Sequence, residues 1–138
     1  MKKKYLYIHF LLVLITLILE ILPYSYVMNF RPAPEKTVRV LCSFFSPVTF
    51  GYGDFGTFAA AIFTAILFVL SVFYMKWQGK ALLNWIRVIS GLAAVSLGTS
   101  IIFIGFASYT AVGLTVDCLL LVIFIVSLLK RDKEKECV

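Results

Sequence analysis

The sequence predicts an all-α membrane protein of four transmembrane helices, and three observations carry that expectation. Hydrophobic residues make up 62% of the chain against 14% charged, the apolar residues gather in four long runs, and the cations lie mostly to one side of those runs. Soluble domains carry about 25% charged residues, and a water-soluble chain this short could not bury so much apolar surface. A length of 138 residues leaves room for a single domain, residues 1–138, and no separate soluble module.

A run of about 18 or more apolar residues with few charges reads as a membrane span. The first run covers about residues 5–26 and follows Lys2, Lys3 and Lys4, which also suits a signal peptide. No small-x-small cleavage site follows it, the chain reading Leu22-Pro23-Tyr24-Ser25-Tyr26, and Glu20 interrupts its apolar core, so a retained helix is expected. Next comes a loop of about residues 27–56, in which Val38, Val40, Cys42 and Phe44 alternate over a stretch that suits a short strand as well as a helix. The remaining runs cover about residues 57–75, 82–104 and 108–129. At about 1.5 Å per residue each run reaches roughly 30 Å, the thickness of a hydrocarbon core. Small residues recur every fourth position as Thr57, Ala61 and Ala65, as Ser90, Ala94 and Gly98, and as Ala107, Ala111 and Thr115. Such faces let helix backbones approach closely where lipid supplies no hydrophobic drive.

Orientation follows from the cations, which concentrate in cytoplasmic segments. Lys2, Lys3, Lys4, Lys76, Lys80, Arg87, Lys130, Arg131, Lys133 and Lys135 fall on one side, and Arg31, Lys36 and Arg39 on the other. Both termini are therefore expected in the cytoplasm of a plasma-membrane protein, with the loop of about residues 27–56 outside. The net charge of +6 then anchors the chain to its membrane and is no nucleic-acid signature.

Polar residues inside the runs are the candidate site. A carboxylate at the depth of Asp117 costs about 2.5–3.5 kcal/mol on insertion scales. Measured from the inner ends, Asp117 stands at about 18 Å, Thr16 and Thr64 at about 16 Å, Ser96 at about 21 Å and Glu20 at about 22 Å. One polar group from each helix reaches a similar level, so Thr16, Glu20, Thr64, Ser96 and Asp117 are expected to form an intramembrane polar layer, with Asp117 hydrogen-bonded to hydroxyls of its neighbours. The same groups would serve a proton or cation site, although no intramembrane lysine or arginine completes a relay. Arg87 lies nearer the inner surface, where it can snorkel outward. His9 reads as a packed side chain. Cys42, Cys118 and Cys137 have neither metal-ligand nor redox-motif spacing, so no metal and no cofactor is expected.

Within the outer loop, Thr49-Phe50-Gly51-Tyr52-Gly53-Asp54 resembles the potassium-channel selectivity filter, whose usual form is Thr-Val-Gly-Tyr-Gly-Asp. That resemblance implies a tetramer in which the carbonyls of Thr49, Phe50, Gly51, Tyr52 and Gly53 line an ion path, preceded by a pore helix over about residues 38–48. Pro47 falls inside that helix, and the second run has no glycine hinge. A wider likeness joins Glu20-Ile21-Leu22-Pro23-Tyr24, Phe44-Phe45 and Phe50-Gly51-Tyr52. It resembles a group of small four-helix integral membrane proteins of Gram-positive bacteria that typically read Phe-Gly-Tyr-Ala-Asn-Phe where this chain has Phe50-Gly51-Tyr52-Gly53-Asp54-Phe55. This second resemblance implies the four-helix architecture and brings no activity with it.

The functional expectation is a non-enzymatic bacterial membrane protein, structural or partner-binding, whose partners are the lipid bilayer and either another membrane protein or a second copy. A potassium-selective channel subunit and a small proton-coupled carrier using Glu20 and Asp117 are the alternatives. No nucleophile, base and orienting group can be assembled into an enzyme from the polar residues present.

Overall fold

The computed structural model describes residues 2–34, 36–46, 55–105 and 108–135. In chain order these form α1 (Lys2–Ile21), β1 (Tyr26–Ala33), β2 (Lys36–Cys42), α2 (Phe55–Trp77), α3 (Lys80–Ile104) and α4 (Ala111–Lys135). All four expected helices are present. Their apolar segments, Lys4–Ile21, Phe55–Trp77, Lys80–Phe103 and Ala111–Leu129, are each long and apolar enough to cross a membrane.

The helix ends have local causes. α1 stops at Ile21, short of the expected residue 26, because Pro23 lacks an amide donor and disfavours helical backbone at Leu22. At the far end of α2, Gln78 adopts φ 40° and its amide donates to Tyr74 O at 3.1 Å, a left-handed stop that reverses the chain within Gln78–Gly79. Gly105 ends α3 similarly, with φ 84° and a 2.9 Å bond from its amide to Ile101 O. α4 begins at Ala111, three residues later than the apolar run suggests, because Thr110 caps it: Gly113 N donates to Thr110 Oγ1 at 3.3 Å. It then continues past Leu129 to Lys135, since lysine, arginine and glutamate are good helix formers.

The helices pack as a ring in which each touches its sequence neighbour and α4 returns to α1. Contacts between the start of one helix and the end of the next, such as Gly56 of α2 against Ser96 and Ser100 of α3, make neighbours antiparallel. Inward positions recur at three- and four-residue intervals: Leu83, Ile86, Ser90, Ala93 and Leu97 on α3, and Val116, Leu120, Ile123 and Ser127 on α4. This is the spacing of knobs-into-holes packing. Their opposite faces are exposed and apolar, with Ile66, Val69 and Val72 on α2, Val88, Leu92 and Val95 on α3, and Leu121, Val122 and Ile125 on α4. An apolar exterior of that extent is unsuited to water.

Small residues mark the closest approaches, at partly different positions from those expected. A Cβ on Gly56 would collide with Ser100 Oγ and stand 2.7 Å from Ser96 O, and one on Gly91 would stand 3.1 Å from the Phe124 ring. Thr57, Ala61 and Ser90 face inward as expected, whereas Ala111 and Thr115 are exposed. Gly113 takes their place on the packed face of α4, where a Cβ would collide with Ser25 O.

Between α1 and α2 the loop forms an antiparallel hairpin with Tyr26 opposite Cys42, Met28 opposite Val40 and Phe30 opposite Val38. The register becomes irregular between Phe30 and Ala33. Residues 36–42 are thus strand, and the pore helix that the filter resemblance requires over about residues 38–48 does not form there. After β2 the chain turns at Ser43–Ser46, where Ser46 N donates to Ser43 O at 3.1 Å, and drops Phe44 into the core with no surface exposed.

Candidate functional site

Glu20 occupies the last turn of α1 on the same face as Leu6, Val13 and Thr16, and it is wholly buried. Across from it α2 presents Thr57, Thr64 and Ser71, one every seven residues and all buried. Heptad spacing holds such a line against one neighbouring helix. Thr64 Oγ1 donates to Glu20 Oε1 at 2.9 Å and lies at the same distance from Ala60 O, so its single hydrogen is shared between a cross-helix acceptor and its own helix. Glu20 Oε2 is buried and has no hydrogen-bond partner among the described residues, and the same holds for Ser71 Oγ. Thr16, one turn below Glu20, donates to Leu12 O at 2.8 Å.

The backbone above this pair is tied down from two directions. Phe44 N donates to Glu20 O at 3.2 Å and its side chain is fully buried, while Ser25 N donates to Cys42 O at 3.1 Å, which seats the hairpin on the end of α1. From the other side Thr110 reaches over: its hydroxyl bonds to Tyr24 O and to Ser25 O, the latter at 2.9 Å, and its amide donates to Ser25 O at 3.3 Å. First helix, hairpin and fourth helix therefore meet at one junction.

A second polar junction lies at the opposite end. Arg87 does not simply extend outward. Its Nε donates to Ser127 O on α4 at 3.0 Å, and a terminal nitrogen donates to Asn84 Oδ1 at 3.0 Å. Ser90 Oγ and Ser127 Oγ lie 3.5 Å apart beside it.

Of the five residues expected in one polar layer, the structure brings Glu20 and Thr64 into contact and places Thr16 on the same face. Ser96 is turned to the α2 side of α3, where its hydroxyl donates to Leu92 O at 2.8 Å and its carbonyl lies against Gly56. Asp117 is half-buried on α4 and has no hydrogen-bond or ion-pair partner among the described residues. The layer is therefore centred on Glu20, and the expected bonds from Asp117 to neighbouring hydroxyls are not formed among those residues. Thr49, Phe50, Gly51, Tyr52 and Gly53 lie outside the described residues. Sequence reasoning missed the bond from Phe44 N to Glu20 O, the Thr110 junction and the Arg87 bridge. Only Thr110 had a readable signal, a threonine directly before an apolar helical run.

No family model, no curated protein and no solved structure matches this chain.

Proposed function

We propose that this chain is a multi-pass membrane protein, with both termini in the cytoplasm, that acts without catalysis as a scaffold binding another membrane component. The observation that carries this reading is the use of the buried polar groups. Glu20 with Thr64 and Arg87 with Ser127 join one helix to another, and Thr110 ties the start of α4 to Ser25 just beyond α1, so these polar contacts are occupied in holding the bundle. What remains for recognition is the periphery, namely the apolar helix faces and a hairpin whose Val38, Val40 and Leu41 are exposed beside Lys36 and Arg39. The strand at residues 36–42 weighs against a filter-bearing pore. A proton-coupled carrier keeps one observation in its favour, the unpartnered Glu20 Oε2.

Two measurements test the proposal. Purified protein in liposomes is expected to pass neither potassium nor protons, and a photo-crosslinker at Val40 in living cells is expected to give one discrete adduct. Potassium-selective flux that Gly53→Ala removes would establish the channel instead. Proton flux that Glu20→Gln removes would establish the carrier.

A further inference from the structure

Among the described residues Asp117 is the one carboxyl inside a span without a hydrogen-bond or ion-pair partner, and its position defines a groove. Along α4 the inward line runs Gly113, Val116, Leu120, Ile123, Ser127. Asp117 lies about 100° around the helix from Val116. Seven residues further on, at nearly the same azimuth, Phe124 packs its ring where a Gly91 Cβ would stand, so this flank of α4 looks toward α3. One heptad outward along both antiparallel helices, the residue level with Asp117 is Gly98. There the contact has opened, because a Cβ on Gly98 would meet no heavy atom of the described residues within 4 Å. Ala94 and Gly98 thus floor a shallow groove on the α3–α4 shoulder, and Asp117 and the exposed Leu121 form its other wall. Asp117 lies six residues into α4, about 9 Å from its outer end, within the depth at which an unpaired carboxyl is costly in lipid.

We propose that this groove seats a partner transmembrane helix carrying a lysine or arginine at mid-membrane depth, with Asp117 as its counter-charge. The inference rests on the partner-binding reading above and names the chemistry of the partner. Two features select that occupant. The glycine and alanine floor admits a second helix backbone at close range, and the carboxyl beside it selects a cation, since charged groups inside membranes pair with one another. A second copy of this chain fits less well. Among the described residues Arg87 is the only cation away from the span ends, and it is already bound to Ser127 O and Asn84 Oδ1.

The test uses the full chain, fluorescently labelled in phosphatidylcholine vesicles, and two synthetic leucine–alanine helices that differ only in carrying a central lysine or a central leucine. Energy transfer is expected to report about tenfold tighter association of the lysine helix. Asp117→Asn, which keeps the side-chain shape, should erase the preference, whereas Asp117→Glu should retain it. Gly98→Leu fills the groove without touching the carboxyl and should weaken both peptides. Equal affinity for the two helices, or a lysine preference that survives Asp117→Asn, overturns the proposal. Self-association of the chain that Asp117→Asn abolishes also overturns it, by giving the groove to a second copy. If the peptides bind equally while the Val40 adduct persists, this inference alone fails; if that adduct is also absent, the partner-binding reading fails with it.

Discussion

Replacing Thr64 with valine preserves the shape of the side chain and removes one hydroxyl from the interior. Its consequence falls mainly on Glu20, which then has no donor for Oε1 and, with Oε2 already unpartnered, keeps a wholly buried carboxyl without a side-chain hydrogen bond among the described residues. Stranding a buried polar group costs about 1–3 kcal/mol. Interhelical bonds in membrane proteins average about 0.6 and reach about 1.7 kcal/mol. The expected loss for Thr64→Val is therefore about 1–2 kcal/mol. Glu20→Leu should cost less, because Thr64 retains its bond to Ala60 O and no polar atom is stranded. Combining the two should resemble Glu20→Leu alone, giving a coupling of about 1 kcal/mol in a double-mutant cycle. Reversible unfolding in mixed micelles, titrated with a denaturing detergent, measures all three variants. A Thr64→Val protein as stable as the parent, or a double variant less stable than Thr64→Val, would refute the Glu20–Thr64 lock.

Other expectations follow from single contacts. Gly56→Ala must push α2 from α3, since its Cβ would collide with Ser100 Oγ, and should cost about 1–3 kcal/mol in the same assay. Gly98→Ala meets nothing among the described residues and should be neutral or stabilise by up to about 1 kcal/mol through helix propensity. Phe44→Ala removes a fully buried ring and should cost about 3–5 kcal/mol, while Phe45→Ala, at a half-buried position, should cost visibly less. In a cysteine-free background, an impermeant thiol reagent added to intact cells should modify Lys36→Cys and spare Lys80→Cys and Lys133→Cys; labelling at position 80 would reverse the proposed orientation.

How much of this could be read from the chain differs between elements and site. The four helices were legible because apolar runs longer than a span have few alternatives, and the strand at residues 36–42 was one of two options its alternation allowed. Helix ends were less legible, since the edge of an apolar run marks a change of environment and not of backbone: α4 continues through Lys130–Lys135 in a wholly polar stretch. Pro23 and Thr110, which fix two ends by removing or capping donors, were in plain view. The polar layer shows a deeper limit. Residue counting yields depth but not azimuth, so Ser96 and Asp117 came out level although Ser96 looks toward α2 and Asp117 lies on the α4 side of α3. It also ignores side-chain direction. Glu20 came out about 6 Å from the level of Thr64, yet they touch, because helical side chains lean toward their own N-terminus and the antiparallel α1 and α2 have their N-termini at opposite ends, so the two side chains lean toward each other.

The bond from Thr110 to Ser25 spans 85 residues and closes the ring between the first helix and the last. During synthesis the chain is made from α1 onward, so the Glu20–Thr64 contact becomes available once α2 emerges, and the tight Gln78–Gly79 reversal lets α3 follow as a hairpin partner. The carbonyl of Ser25 has to wait for residue 110. Until α4 has been made, the α1 and α3 flanks that it covers both lack that neighbour. Thr110 ties the start of α4 to the exit of α1, and the ring closes only when the helix that follows it has been made and packs on α1.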